Sequence, residues 1–250
     1  MDGRLSLAKR MKRYELTTRH YLIKKIPVII RVDGKAFHTL TKGMDKPFDR
    51  TLMEAMAKAA FKTSQHMQGF KAAYIQSDEV TFLLTDYDSI ETDAWFDYNI
   101  AKLVSISASY MSLYFYTYME KLAVFDSRAF NVPVEDVVNN FLWRAKDWER
   151  NSLQMYARSF FSHKELLNKN HNDIHEMLHD IGKNWATDLD DICKNGTFIY
   201  KDVHIGYKIK PITEQNNVIY NIKPNIKPSY DEISKIIIPL LYPGMEYFNK

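Results

Sequence analysis

The 250-residue chain holds one cysteine, Cys193, so no internal disulfide can form, and no group of thiols exists to hold a structural zinc or an iron–sulfur centre. That usage fits a reducing compartment, and the expected location is the cytoplasm. Long apolar runs are missing as well. The stretch from Ile26 to Val32 is far too short to span a bilayer. The basic run Lys9-Arg10-Met11-Lys12-Arg13 leads into no apolar segment of the kind a secretory signal needs, and it reads as a solvated face. Glycine is sparse, at eight residues, and there is no internal repeat or low-complexity tract, so every segment up to about Tyr200 is expected to fold. A surplus of one charge is lacking too. The 34 basic and 31 acidic side chains leave +3, which permits a local basic groove for nucleic acid without demanding one. What is present is core material: 46% hydrophobic and 14% aromatic residues suffice for one domain, or one domain with an appendage.

Pro27-Val28-Ile29-Ile30-Arg31-Val32 is β-branched and apolar, the composition of a strand, and it ends at Asp33-Gly34, where glycine permits a sharp exit. From Pro47, the recurrence of Phe48, Leu52, Met56 and Ala60 at fourfold spacing predicts a helix that stops near Gly69. Ala72 to Gln76 and Val80 to Leu84 read as two strands joined by the polar trio Ser77-Asp78-Glu79. Thr92 to Tyr118 lacks Gly and Pro and predicts one long helix, after which Leu122 to Phe125 reads as a short fourth strand. This order is that of the ferredoxin-like βαββαβ motif, an antiparallel sheet with two helices on one face, which lays the end of strand one beside the strand two/three turn. After Pro133 the pattern is helical to about Lys194, and Gly196 marks the break to a strand at Thr197 to Tyr200. Beyond Lys208, with Pro211, Pro224 and Pro228, the chain reads as irregular structure with short edge strands. The expected division is a catalytic core over 1–132 and a helical appendage over 133–250, packed with the core as one unit.

Two carboxylates at adjacent strand ends suit two-metal phosphoryl transfer, because they offer hard oxygen ligands to magnesium and leave positions for phosphates and water. Asp33 and Asp78 meet that requirement, and the Gly34 carbonyl can add a further oxygen. The amides of Gly34, Lys35, Ala36, Phe37 and His38 are placed to cradle triphosphate oxygens as the chain leaves the strand. Each element has an ordinary reading as well, since Asp-Gly and Ser-Asp-Glu are common turn sequences.

Ile30-Arg31-Val32-Asp33-Gly34-Lys35-Ala36-Phe37-His38, then Lys46-Pro47-Phe48-Asp49, then Tyr74-Ile75-Gln76-Ser77-Asp78-Glu79 resemble successive signature blocks of the tRNA-histidine guanylyltransferase family. Phe125-Asp126-Ser127-Arg128, Trp143-Arg144 with Asp147, Arg150-Asn151-Ser152 and Lys194-Asn195-Gly196-Thr197 continue the similarity, which spans roughly residues 14 to 201. The resemblance implies a palm domain like that of conventional polymerases, working in the reverse direction on an activated RNA 5′ end. The 3′ hydroxyl of an incoming nucleoside triphosphate attacks that end, with loss of AMP or pyrophosphate. It implies two magnesium ions bound by Asp33, the Gly34 carbonyl and Asp78, with Glu79 supporting the site. GTP, ATP and other nucleoside triphosphates are the implied substrates, and the acceptor stem of a tRNA is the implied partner. Lys46 and Arg128 are expected on phosphates, Ser77 and Asn151 on the nucleotide, and Arg150 on RNA. Lys102 resembles a further phosphate ligand, although a lysine stem covering apolar surface explains it equally well.

One departure matters. Members dedicated to histidine tRNA carry His-Ile-Asn where this chain has Glu149-Arg150-Asn151, followed by Ser152. The Arg-Asn-Ser form is similar to that of the guanylyltransferase-like branch, associated with templated repair of 5′-truncated tRNA. Repair is therefore expected, with addition of a single G to histidine tRNA as the alternative. A palm-type nucleotide cyclase would place its carboxylates alike, and a non-catalytic RNA-binding protein would have no need of Asp33, Lys46 and Asp78 together. His175-Glu176-Met177-Leu178-His179 also matches H-E-x-x-H, but Trp185 stands where the extended motif needs a third histidine, so a solvated helix face is expected there. Finally, Tyr110, Tyr114, Phe115, Tyr116 and Tyr118 exceed what one sheet face should need, and a homotetramer is expected.

Overall fold

A computed structural model describes residues 5–201, 220–223 and 226–242. Along the chain run α1 (Leu7–Leu16), β1 (Val28–Gly34), α2 (Phe37–Leu40), α3 (Arg50–Ser64), β2 (Phe70–Gln76), β3 (Glu79–Leu84), α4 (Ile100–Met119), β4 (Phe125–Asn131) and α5 (Val137–Ala157). There follow α6 (His163–Leu166), α7 (His171–Asp180), α8 (Trp185–Asp188), α9 (Asp191–Asn195), β5 (Thr197–Lys201), β6 (Tyr220–Lys223) and α10 (Tyr230–Leu241). The strands form one antiparallel sheet in the order β4-β1-β3-β2-β5-β6. Its first four strands have the ferredoxin-like arrangement of a polymerase palm, and β5 and β6 extend it at one side. Among the described residues no helix is long and apolar enough to cross a membrane.

Helices cover both faces. Val28, Ile30 and Val32 of β1 point with Val80 and Phe82 of β3 toward Met56 and Ala60 of α3 and Leu103, Met111 and Phe115 of α4. Ile29, Leu83, Tyr74 and Phe198 point the other way, onto Val137, Phe141 and Ala145 of α5 and Ile233, Ile237 and Leu240 of α10. Covering on both sides explains why β1 opens as a continuous apolar run rather than an alternating one. Side chains close the helix starts: Asp49 accepts from the Leu52 amide at 2.9 Å before α3, and Asn99 from the Lys102 amide at 3.1 Å before α4.

Several boundaries differ from the sequence expectation. The helix expected from Pro47 starts at Arg50, with Asp49 as its cap, and ends well short of Gly69. The helix expected from Thr92 is interrupted, because Trp95–Tyr98 is a separate 3-10 turn whose Phe96 and Asp97 have positive φ. The fourth strand begins at Phe125 and not Leu122, and Leu122 and Val124 stay exposed. The two helices expected on one face are α3 and α4, and the helical appendage covers the other face through α5 and α10. Past Pro228, where irregular structure was expected, Ser229 caps α10 through the Glu232 amide, and Ile233, Ile236, Ile237, Leu240 and Leu241 are buried. Lys208, Pro211 and Pro224 lie outside the described residues.

Candidate active site

The face a residue points to along β1 alternates, so Arg31 and Asp33 follow Ile29 toward α5. Register pairs Asp33 with Glu79, and the Gly34 amide donates to the Asp78 carbonyl at 3.0 Å. The two expected carboxylates therefore meet at the end of the β1–β3 ladder. Gly34 is required for that approach, because a Cβ there would lie 2.2 Å from the Phe37 ring and 3.0 Å from the Asp78 Cβ.

α5 supplies the opposite wall. Its 21 residues extend about 31 Å at 1.5 Å per residue, whereas the 7 residues of β1 span about 23 Å at 3.3 Å each. The last turns of the helix pass the strand ends. Arg144, Trp148, Asn151, Met155 and Arg158 recur at intervals of three and four and so share one face, and with Gln154 they line a cleft of about 340 Å³ together with Asp33, Gln76, Ser77, Asp78 and Glu79.

Burial raises the pKa of the Asp78 carboxyl above 3.8; hydrogen bonds from Ser77 and its own amide oppose the rise, and the negative charges of Asp33 and Glu79 add to it. Among the described residues no Lys, Arg or His is ion-paired with Asp33 or Asp78. Glu79 is committed elsewhere. Arg144 donates to it from Nε and Nη2, both at 2.7 Å, and Gln76 donates at 3.0 Å. This bidentate pair ties α5 to the β2–β3 hairpin that carries Asp78. Arg144 also donates to Asp147 at 3.1 Å and lies 4.6 Å from the Trp143 ring centre. Along the chain Arg144 belongs to a family motif without a role of its own; its helical spacing with the apolar Val137, Phe141 and Trp148 was the available signal that it is turned inward.

Among the described residues no three His, Cys, Asp or Glu side chains lie close enough to hold a metal by themselves. The donors that line the cleft are the Asp33 and Asp78 carboxylates, with no cation partner among the described residues. That set fits magnesium, which takes one or two carboxylates and completes its shell with water and phosphate.

The other expected residues are spread more widely. The Gly34 and Lys35 amides donate to the Asp78 and Val124 carbonyls, at 3.0 and 2.8 Å, so the five-amide cradle is reduced to Ala36, Phe37 and His38. Those three open α2, whose cap Ala36 adopts φ 57 and brings no side-chain acceptor. The Phe37 ring is buried against Phe115 and Phe125, at 5.4 Å from each, and anchors the loop. Lys46 is exposed two residues before Phe48, whose ring meets the cleft residue Trp148 at 5.7 Å. Asn151 lines the cleft; Arg150 is exposed and paired with Asp147 at 2.7 Å. Arg128 sits on the edge strand β4, opposite Arg31, and pairs with Asp126 at 3.2 Å. Lys102 is not brought to this cleft. It lines a separate cavity with Glu15, Arg19, Tyr21 and Phe96, its ammonium 5.5 Å from the Phe96 ring centre. His175 and His179 flank a further surface cavity with Glu176 and Lys183, and the His175 ring packs against Trp185 at 6.1 Å.

A palm sheet that ends in two carboxylates, faced by a polar cleft, places the chain among palm-type enzymes that act on nucleotides. Comparison with known proteins makes the class specific. The profile of Thg1, described as tRNAHis guanylyltransferase, matches residues 8–133, and the chain belongs to that family. A solved bacterial Thg1-like protein in complex with ATP is 35% identical, with a TM-score of 0.84 over 96% of this chain and 100% of that one. A second, in complex with GTP, is 32% identical, with a TM-score of 0.77 over 95% and 100%. The tRNA(His) guanylyltransferase of Debaryomyces hansenii is 29% identical over 210 residues, 73% of this chain and 76% of that one. The profile spans Asp33, Asp78 and Arg128 but not α5, which only the longer likenesses include.

Proposed function

We propose that this chain is a template-dependent 3′–5′ nucleotidyltransferase that adds nucleotides to the 5′ end of tRNA and so repairs 5′-truncated tRNA in the cytoplasm. The carrying observation is that Asp33 and Asp78 share one cleft with Asn151, in a chain where Glu149-Arg150-Asn151-Ser152 replaces the histidine-tRNA sequence. The bacterial Thg1-like structures that hold ATP and GTP support nucleoside triphosphates as its substrates.

Asp33, Asp78 and the Gly34 carbonyl are the proposed holders of magnesium. Two such ions would lower the pKa of the attacking hydroxyl and offset charge on the reacting phosphate. Glu79 keeps the hairpin and α5 in register through Arg144. The amides of Ala36, Phe37 and His38, with the exposed Lys35 and Lys46, meet triphosphate oxygens, while Ser77 and Asn151 hydrogen-bond the nucleotide. Lys102 acts as a phosphate ligand in its own cavity beside Arg19, and Arg128 and Arg150 meet phosphates or RNA from the exposed surface. Residues 1–132 and 133–250 work as one unit, supported by the pairing of β5 with β2 and by the Arg144–Glu79 link. A homotetramer is proposed from the outer face of α4, where Leu113 and Tyr116 remain 55% and 48% exposed; light scattering that gave a monomer mass at micromolar concentration would rule it out.

The test is a tRNA lacking its first 5′ nucleotide, given with the protein, magnesium, ATP and all four nucleoside triphosphates. Base pairing to the opposite strand discriminates because a wrong pair leaves hydrogen-bonding groups unsatisfied, at roughly 1–3 kcal/mol each. The nucleotide added should change when the template base is changed. Addition of G alone to full-length histidine tRNA, whatever base opposes it, would replace repair by the guanylylation reading. Cyclisation of GTP or ATP with no RNA extended would overturn both.

A further inference from the structure

Two guanidinium groups face the Asp33 cleft, and their circumstances differ. Arg144 is consumed by Glu79 and Asp147. Arg158, on the same stripe of α5, is exposed and makes no ion pair or side-chain hydrogen bond among the described residues, although it lines the same cavity as Asp33 and Asp78. It caps the C-terminus of α5. There the unsatisfied carbonyls favour a nearby cation.

The charges of the cleft define what that guanidinium meets. Asp33 and Asp78 contribute two negative charges, a nucleoside triphosphate brings about four more, and two divalent cations offset about four of the total. A negative balance of about two remains for the walls to meet. Of the cleft-lining residues, the β strands and their turn bring carboxylates, a serine and an amide, whereas α5 brings two arginines, of which Arg144 is taken up by Glu79 and Asp147 and Arg158 is not. A planar guanidinium also matches phosphate geometry with two parallel hydrogen bonds.

We propose that Arg158 is a phosphate-binding residue of this cleft. Its ligand is a terminal phosphate, carried either by the incoming nucleoside triphosphate or by the RNA 5′ end. The proposal rests on the nucleotidyltransferase reading above and assigns a residue to its substrate's phosphate.

Calorimetric titration in magnesium, with no second substrate present, tests it on the parent, Arg158→Lys and Arg158→Gln. The probes are GTP, guanosine, and one short RNA prepared with a 5′-monophosphate or a 5′-hydroxyl. Arg158→Gln should weaken either GTP or the 5′-phosphorylated RNA about tenfold or more, and the probe that weakens identifies the source of the phosphate. Guanosine and the 5′-hydroxyl RNA should change less than about twofold, and Arg158→Lys should fall between. Unchanged affinity for both phosphorylated probes, or an equal loss on the unphosphorylated ones, overturns the proposal and leaves the function standing, provided the parent binds GTP. If the parent binds neither GTP nor the phosphorylated RNA, the function reading falls with it. Unaltered circular dichroism and melting temperature in Arg158→Gln show that any loss is local.

Discussion

The two faces of the sheet are made by the same strands but do different things. Toward α3 and α4, alternate residues are apolar from one end of the ladder to the other: Val28, Ile30 and Val32 on β1, and Val80, Phe82 and Leu84 on β3. Toward α5 and α10 the apolar layer of Ile29, Leu83 and Phe198 gives way, as the strands approach Asp33, to Arg31, Thr81, Gln76 and Glu79. That polar layer has a cost. Among the described residues, buried Thr81 Oγ1 and Gln76 Oε1 have no hydrogen-bond partner, and Arg31 Nε has only an ion pair with Glu79 at 4.0 Å; each unsatisfied group opposes folding by about 1–3 kcal/mol unless water satisfies it. One face accumulates stability, and the other gives some up to hold charged groups in position.

The comparison breaks most sharply at the carboxylates. Asp33→Ala and Asp78→Ala should each remove nearly all nucleotidyl transfer while the circular dichroism spectrum stays that of the parent, because in the proposed two-metal site the loss of one ligand would disorganise both ions. Retained activity within about tenfold, equivalent to about 1.4 kcal/mol, would contradict the assignment.

Next come two substitutions of similar size and different character. Phe82→Ala empties a fully buried position on the apolar face and should cost about 3–5 kcal/mol in urea unfolding. Arg144→Ala leaves the Glu79 charge, on a side chain only 12% exposed, with Gln76 at 3.0 Å and Arg31 at 4.0 Å as its remaining partners, and should cost about 3 kcal/mol, the low end for breaking a buried pair. A second substitution separates the two causes. Glu79→Gln in the Arg144→Ala background should recover part of the loss by removing a charge that has lost its bidentate partner, and no recovery would mean that the pair is not what holds α5 to the hairpin.

The smallest effect concerns Asp78 alone. Its folded pKa is raised above 3.8 by burial first and by Asp33 and Glu79 in addition. The raised value means that its contribution to stability is present below 3.8 and is lost as pH climbs through the folded value. Asp78→Asn should therefore raise the melting temperature of the metal-free protein at neutral pH, and the gain should shrink as pH falls toward 3.8. A melting temperature unchanged at neutral pH, or a gain that grows on acidification, would show that Asp78 carries no such penalty.

Much of this was legible along the chain, for identifiable reasons. β1, β2 and β3 each carry a local signal, β-branched residues bounded by turn residues, and a local signal needs no partner to be read. The meeting of Asp33 with Asp78 followed from strand order. β4 was misplaced because Leu122 and Val124 look like a strand, whereas Asp126-Ser127-Arg128 is polar and forms an edge strand through backbone pairing with β1. α10 was missed because Pro224, Pro228 and the β-branched run Ile236-Ile237-Ile238 argue locally against a helix, while burial of its Ile233–Leu241 face against the second side of the sheet overrides that preference. The cradle from Gly34 to His38 was overestimated, since which amides stay free depends on the Val124 and Asp78 carbonyls that approach them.

The sequence by itself determined the carboxylate pair, the strands that carry it and the family, because these rest on residue types at short spacing. The tertiary structure alone decided that α5 overhangs the sheet, that Arg144 is spent on Glu79 while Arg158 is unpaired among the described residues, and that Lys102 belongs to another cavity. The physical reason is that each of those depends on which face two distant elements turn to one another, and burial across the second face of the sheet, not any local pattern, sets that choice.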